Sequence, residues 1–172
     1  NLVRKRRPMR ENVRVADLID SIRSMVNSTA MLHQVRLHFD IGTPNFTLYI
    51  DRIMVEQALV NLVKNASEAF MASQRIRNVW IRTRVLEHSF EFSVRDDGPG
   101  LTLNNAEKMF ESLVSTKPDG LGLGLSLCRS VAESHGGRLK AEAVPTGGTC
   151  FTMDLPMAVK ESMEGEQSVG AN

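Results

Sequence analysis

Two asparagines four residues apart, Asn61 and Asn65, stand in an otherwise apolar stretch. On a helix that spacing places both amides on one side, one turn apart. An amide is costly to bury without a partner, so the pair either caps neighbouring loops or faces a ligand. An amide oxygen is a hard donor of the kind Mg²⁺ takes, with phosphate and water completing the shell. Asp96-Asp97-Gly98-Pro99-Gly100 reads by composition as a turn at a strand end. Its two glycines also admit backbone close to a ligand, and a strand-end carboxylate accepts a hydrogen bond from an exocyclic amine such as adenine N6. Gly120-Leu121-Gly122-Leu123-Gly124-Leu125 opens a run of helical period. Alternating glycines let backbone N–H groups converge, and a helix start adds unpaired N–H groups and the positive end of its dipole, together a phosphate cradle. The spacing is not that of a P-loop, and no strand directly precedes it as the dinucleotide fingerprint requires. Just upstream, Ser115-Thr116-Lys117-Pro118-Asp119-Gly120 is polar and turn-prone, with Phe110 and Leu113 beside it. It is either a solvated surface loop or one that closes over a ligand, Phe110 serving as anchor and Lys117 reaching phosphate.

The elements that must position these residues follow from hydrophobic period. Val15, Leu18, Ile19, Ile22, Met25 and Val26 recur at three and four and predict a helix from Val15 to about Leu32. Val35, Leu37, Phe39 and Ile41 alternate with polar residues as a half-buried strand, and Gly42-Thr43-Pro44-Asn45 turns into a second short strand, Phe46–Ile50. Asp51 is placed to cap a helix with a wide apolar face through Val55, Leu59, Leu62, Val63 and Ala66. Residues 78–86 and 90–95 predict a hairpin that ends at Asp96. A short helix is expected over about Asn104–Glu111, another over Gly124–His135, and two final strands near Arg138–Ala143 and Thr149–Leu155, flanking Gly147-Gly148. Hairpins interleaved with helices predict a two-layer α/β sandwich, with a mixed, largely antiparallel sheet covered on one face by helices.

The bulk composition narrows the classes. The 172 residues suit one domain, and 42% hydrophobic with 24% charged residues exclude a chain disordered throughout. Twenty-one Lys and Arg against twenty Asp and Glu give +1, without the charge excess of a dedicated nucleic-acid binder. Residues 1–14 hold six basic residues against Glu11, a net +5 that leaves −4 for the remainder. No apolar run approaches the roughly 20 residues of a membrane span, and no apolar stretch follows the basic start as in a signal peptide. Two cysteines, Cys128 and Cys150, are too few for a disulfide framework, fit a reducing cytosolic compartment and read as small buried hydrophobes. Trp80 is expected in the core or at an edge strand. The chain opens on Asn rather than Met, which suggests an excised piece, and the Glu-, Ser- and Gly-rich residues 157–172 are expected to be a disordered tail.

Taken in order, these motifs resemble the catalytic, ATP-binding domain of bacterial sensor histidine kinases, in the superfamily that includes gyrase B, the heat-shock chaperone ATPases and the mismatch-repair ATPases. Asn61-Leu62-Val63-Lys64-Asn65-Ala66 is similar to the N box, Asp96–Gly100 to the first glycine box, Phe110–Leu113 to the F box and Gly120–Gly124 to the second glycine box. His135-Gly136-Gly137 and Gly147-Gly148-Thr149-Cys150-Phe151 are similar to the family's closing segment, and the wording around Asn65 and Lys117 is nearest FixL- and NtrB-like kinases. The resemblance covers about residues 13–156, with residues 1–12 then the end of a dimerisation helix and hinge, and implies a fold of the Bergerat type.

The resemblance also implies the roles. Asn65 would hold Mg²⁺ at the triphosphate, and Asn61 would face the phosphates. Asp96 would accept from adenine N6, with Gly98, Gly100 and Thr149 around the base. Gly120, Gly122, Leu123, Gly124 and the N–H of Leu125 would cradle phosphate, and residues 113–121, with Thr116, would form a lid beside Phe110. Lys117 would contact the γ-phosphate. Many members carry a basic residue three after the magnesium asparagine; this chain has Glu68, which shifts charge compensation to Lys117 or Lys64. The superfamily's hydrolases carry a glutamate four before that asparagine, where this chain has Asn61. An amide is no general base, so phosphoryl transfer to a separate nucleophile is favoured over hydrolysis. None of His33, His38, His88 and His135 sits in an acceptor box, which places the acceptor histidine on a dimerisation domain outside this chain. A cognate response regulator is the implied partner, with a monomeric fragment, a homodimeric intact kinase and no nucleic acid. An anti-sigma-factor-like serine kinase, or a nucleotide-binding module without transfer, is the alternative.

Overall fold

The computed structural model describes residues 8–69, 77–100 and 121–157. The elements are β1 (Glu11–Arg14), α1 (Val15–Leu32), β2 (Arg36–Ile41), β3 (Thr47–Ile50), α2 (Arg52–Glu68), β4 (Asn78–Val85), β5 (Ser89–Asp96), α3 (Leu121–Ser134), β6 (Arg138–Ala143) and β7 (Thr149–Pro156). Five strands form one sheet in the order β2-β4-β5-β7-β6. Only β2 and β4 are parallel, because the chain between them passes through α2 and so returns in the same direction. The other three pairings are antiparallel.

Strand alternation sorts the sheet into two faces. Val79, Ile81 and Thr83 of β4, Phe90, Phe92 and Val94 of β5, and Phe151, Met153 and Leu155 of β7 are buried on one of them. Against that face lie the apolar stripes of α2 (Val55, Ala58, Leu59, Leu62, Val63, Ala66) and α3 (Leu125, Cys128, Val131, Ala132), and α1 packs on α2 through Leu18, Ile19, Ile22 and Val26. The opposite face carries His38, Trp80, Arg82, Arg95 and Lys140. This is the two-layer sandwich that the sequence implies, with the helices on one side. Trp80 lies on the helix-free face, stacked on His38, rather than in the core.

Three features depart from the expectation. β2 and β3 are not a hairpin: β3 pairs with β1 in a separate two-stranded ribbon. Arg14, the residue before α1, offers no side-chain cap, and the first amides of the helix find acceptors in the loop after β2 instead, Val15 N to Phe46 O and Ala16 N to Pro44 O, both 2.9 Å. That contact draws the loop onto the start of α1 and carries β3 away from β2. Strand β1 itself is not anticipated by the sequence reading; only Val13 of its four residues is buried, so its alternation is too short to stand out. Helix α3 begins at Leu121 rather than near Gly124. The short helix expected over 104–111 lies outside the described residues.

One polar hub joins the start of α2 to the end of α3. The Asp51 carboxylate caps α2 by accepting from Met54 N at 3.1 Å and also accepts from Met9 N at 2.7 Å, while Asp51 N donates to His135 Nε2 at 3.0 Å. His135 Nδ1 lies 2.8 Å from the Val131 carbonyl, which only accepts, so Nδ1 carries the proton and the buried ring is neutral. Both helices that bear the candidate site are thereby fixed at their far ends.

Candidate functional site

Helix α2 presents Asn61 and Asn65 toward the first turn of α3. A Cβ built on Gly124 would lie 3.8 Å from both polar side-chain atoms of Asn65 and 3.9 Å from Cγ of Asn61, so the glycine keeps the space beside the two amides clear. Asn65 Nδ2 is buried without a hydrogen-bond partner among the described residues. Buried polar atoms ordinarily have a partner, and an oxygen-rich ligand could supply one to this amide. Turning the amide over presents Oδ1 instead, a donor suited to Mg²⁺. Among the described residues no group of three or more His, Cys, Asp and Glu is gathered to cage a metal. A cation here would take most of its shell from phosphate and water, which is the habit of Mg²⁺. The residues present therefore fit the ion.

The start of α3 sets which amides face the same space. The described part of α3 opens at Leu121, which puts Gly122, Leu123, Gly124 and Leu125 in its first described turns, and the first turn of a helix is where unpaired N–H groups lie. The Leu125 side chain is 2% exposed and seats the helix in the core. Phe110, Thr116, Lys117 and Gly120 lie outside the described residues. Lys64, the other candidate for charge compensation, sits 3.9 Å from Glu68 on the exposed side of α2.

Asp96 is the last residue of β5, and alternation with Phe90, Phe92 and Val94 turns its carboxylate into the helix-covered face, where it is 1% exposed. Oδ1 accepts from Gly98 N at 2.9 Å and from Thr149 N at 3.3 Å. These amides do not engage Oδ2, which remains to accept from a donor such as an exocyclic amine. Burial pushes the Asp96 carboxyl above the ordinary aspartate range, and the amides of Gly98 and Thr149 pull the other way. Gly148 makes the close approach possible. It has φ +92°, and a Cβ there would collide with the Asp96 carbonyl oxygen. Gly100, at φ +80°, packs against the Gly148 backbone in turn. The structure thus brings Asp96, Gly98, Gly100 and Thr149 together in one cluster, and Asn61, Asn65 and Gly124 in another, both on the helix-covered side. A cavity of about 460 Å³ between the β1–β3 ribbon and the end of β7 holds none of these residues.

Sequence reasoning did not pick out Asn78, whose backbone and side chain both bond the Asp97 carboxylate. Its only signal is a lone polar residue at the head of a strand, and its partner lies 19 residues away.

Comparison with known proteins agrees with this geometry. Residues 50–159 match the family described as histidine kinase-, DNA gyrase B-, and HSP90-like ATPase. The sensor protein FixL of Bradyrhizobium diazoefficiens is 35% identical over 144 residues, 84% of this chain and 28% of FixL. The C4-dicarboxylate transport sensor protein DctS of Rhodobacter capsulatus is 33% identical over 158 residues, 91% of this chain and 24% of DctS. The chain thus spans about a quarter of the length of these curated relatives. The solved catalytic domain of histidine kinase ThkA superposes with a TM-score of 0.74 at 26% identity, covering 86% of this chain and 95% of that domain. With the paired asparagines, the buried aspartate and the glycine-opened helix where the match falls, the chain belongs to the histidine kinase-, DNA gyrase B- and HSP90-like ATPase family and is similar within it to the catalytic domains of sensor histidine kinases.

Proposed function

We propose that this chain is the ATP-binding catalytic domain of a two-component sensor histidine kinase. It takes ATP with Mg²⁺ and passes the γ-phosphoryl group to a histidine on a dimerisation and histidine-phosphotransfer domain of the intact protein, upstream of a cognate response regulator. The hinge from that domain would enter at β1. The site of action is the cytoplasm, where ATP is held; among the described residues no helix is long and apolar enough to cross a membrane.

The observation that carries this reading is the pair Asn61 and Asn65 facing Gly124, with one amide nitrogen buried and unpartnered among the described residues. Asn65 would hold Mg²⁺, which supplies charge neutralisation at the triphosphate. Asn61 stands one turn earlier with an amide, which orients phosphate or water by hydrogen bonding but takes no proton. A site without a base at that position does not activate water, and its catalytic contribution is positioning and electrostatic stabilisation of the transferring group. Asp96 would select the base through Oδ2, and the first amides of α3 would meet phosphate.

Asn65→Ala tests the assignment. It should reduce Mg²⁺-dependent ATP affinity at least about tenfold, with binding measured by calorimetry with and without Mg²⁺, since a metal contact and a phosphate contact are lost together. Unchanged Mg²⁺-dependent binding would overturn the placement of the ion.

A further inference from the structure

The last register pair of β4 with β5 is Val79 with Asp96. One residue further the chain leaves the sheet to make the turn through Gly100, and a strand end is where a ladder ordinarily frays. Here it is tied. Asn78 N donates to Asp97 Oδ1 at 2.8 Å, Asn78 Nδ2 donates to Asp97 Oδ2 at 2.7 Å, and Asp97 N donates to Asn78 O at 3.3 Å. Two donors from one residue engage both oxygens of one carboxylate, which fixes the plane of that carboxylate and the backbone that bears it. A carboxylate only accepts, so the asparagine nitrogen must face Asp97 and its Oδ1 must face outward. There Oδ1 lies 2.9 Å from His38 Nε2, which is therefore the donor. His38 is stacked on Trp80, with ring centroids 5.3 Å apart and planes 17° from parallel. The Arg95 guanidinium covers the same indole at 5.3 Å and donates to Thr146 Oγ1 at 3.0 Å. His38, Trp80 and Arg95 are register neighbours across β2, β4 and β5. The asparagine is held from outside by this row, while Gly148 packs on Asp96 and Asp97 from the other side.

We propose that Asn78, through its clamp on Asp97, is a positioning residue for nucleobase selection, holding the neighbouring Asp96 carboxylate where it accepts from adenine and repels guanine. The proposal rests on the ATP-site reading above. The base contact itself belongs to Asp96. Adenine presents a donor amine at the position where guanine presents a carbonyl oxygen, so a carboxylate fixed there discriminates and a carboxylate free to swing does not. A clamp of this kind acts on selectivity more than on the phosphate contacts, which α2 and α3 supply.

The test is the affinity of the chain for ATP and for GTP, measured by calorimetry in the wild type and in Asn78→Ala, with melting temperatures recorded in parallel. The expected result is a loss of about tenfold in ATP affinity with GTP affinity within about twofold of wild type, so that selectivity falls by about tenfold. Equal losses for both nucleotides would show a merely structural role and overturn the proposal, as would no change in either. If Asn78→Ala does not fold, Asp97→Asn keeps the shape and one accepting oxygen, and should show a smaller shift in the same ratio; an unchanged ratio there would equally overturn it. A wild-type chain that binds neither nucleotide, or both alike, would contradict the site reading itself.

Discussion

Asp96 joins a stability cost to a binding function. Burial raises its carboxyl above the ordinary value of 3.8, and the nearby Asp97 adds to the rise, against the backbone amides of Gly98, Thr149 and Asp96 itself, which lower it. A raised folded-state value means the folded chain holds this proton more tightly than the unfolded chain. Stability is therefore lost as pH rises through the window between 3.8 and the folded value, and the cost is present in full above that window. Asn at this position keeps an oxygen for the Gly98 and Thr149 amides and carries no charge to desolvate. Asp96→Asn should accordingly melt at or a few degrees above wild type at pH 7, with the gap closing as pH falls through that window, while ATP affinity drops at least about tenfold because an amide NH₂ would face the adenine amine. A variant that melts well below wild type at pH 7 would contradict this account of the buried charge. Asp96 and Thr149 were legible in the sequence, the first because a carboxylate at a strand end followed by two spaced glycines is chemically conspicuous. Asn78 was not, because what makes it special is a partner brought alongside by strand pairing.

At the scale of elements, period and capping chemistry were enough for α1, α2 and the β4–β5 hairpin. The Asp51 cap and the apolar stripe of α2 are local facts, and the structure reproduces them within a residue or two. Partnership is not local. Alternation told which residues of β2 and β3 share a face but not that β3 would leave for β1, since that choice depends on the bare first amides of α1. The helical period reads from Gly124 in the sequence, and the structure describes α3 from Leu121, with Leu125, Cys128, Val131 and Ala132 as its buried stripe. Cys128 belongs to that stripe: its thiol lies 3.2 Å from the Ala58 carbonyl, and burial pushes its pKa up to about 12, so it contributes packing between α2 and α3. The β5 and β7 ends are coupled through Gly148, which has both a positive φ and no room for a side chain. Gly148→Ala should lower the melting temperature by several degrees and weaken ATP binding, because the Asp96 carbonyl must retreat. Thermal unfolding with and without nucleotide checks it, and a variant as stable and as tight as wild type would refute the packing argument.

For the whole molecule, the arithmetic of the sequence takes on a spatial meaning. The chain is nearly neutral, with a net +5 in residues 1–14. Of these, Arg10 donates to the Ser134 carbonyl at the end of α3, and Arg14 pairs with Asp17 in an exposed ion pair of small energetic weight. The segment entering β1 is thus bonded to the ends of both site-bearing helices, through Arg10 to α3 and through Met9 and Asp51 to α2. The chain covers about a quarter of its curated relatives, and the reaction proposed for it needs a histidine nucleophile; of its four histidines, His135 is bonded to Asp51 and Val131 and His38 to Asn78, and none sits in an acceptor box. The most direct measurement is transfer from γ-labelled ATP to a supplied dimerisation domain, with free phosphate quantified in the same reaction. Acid-labile, base-stable label on histidine is expected, with phosphate release a minor product. Rapid release of phosphate with no label on the acceptor would contradict it.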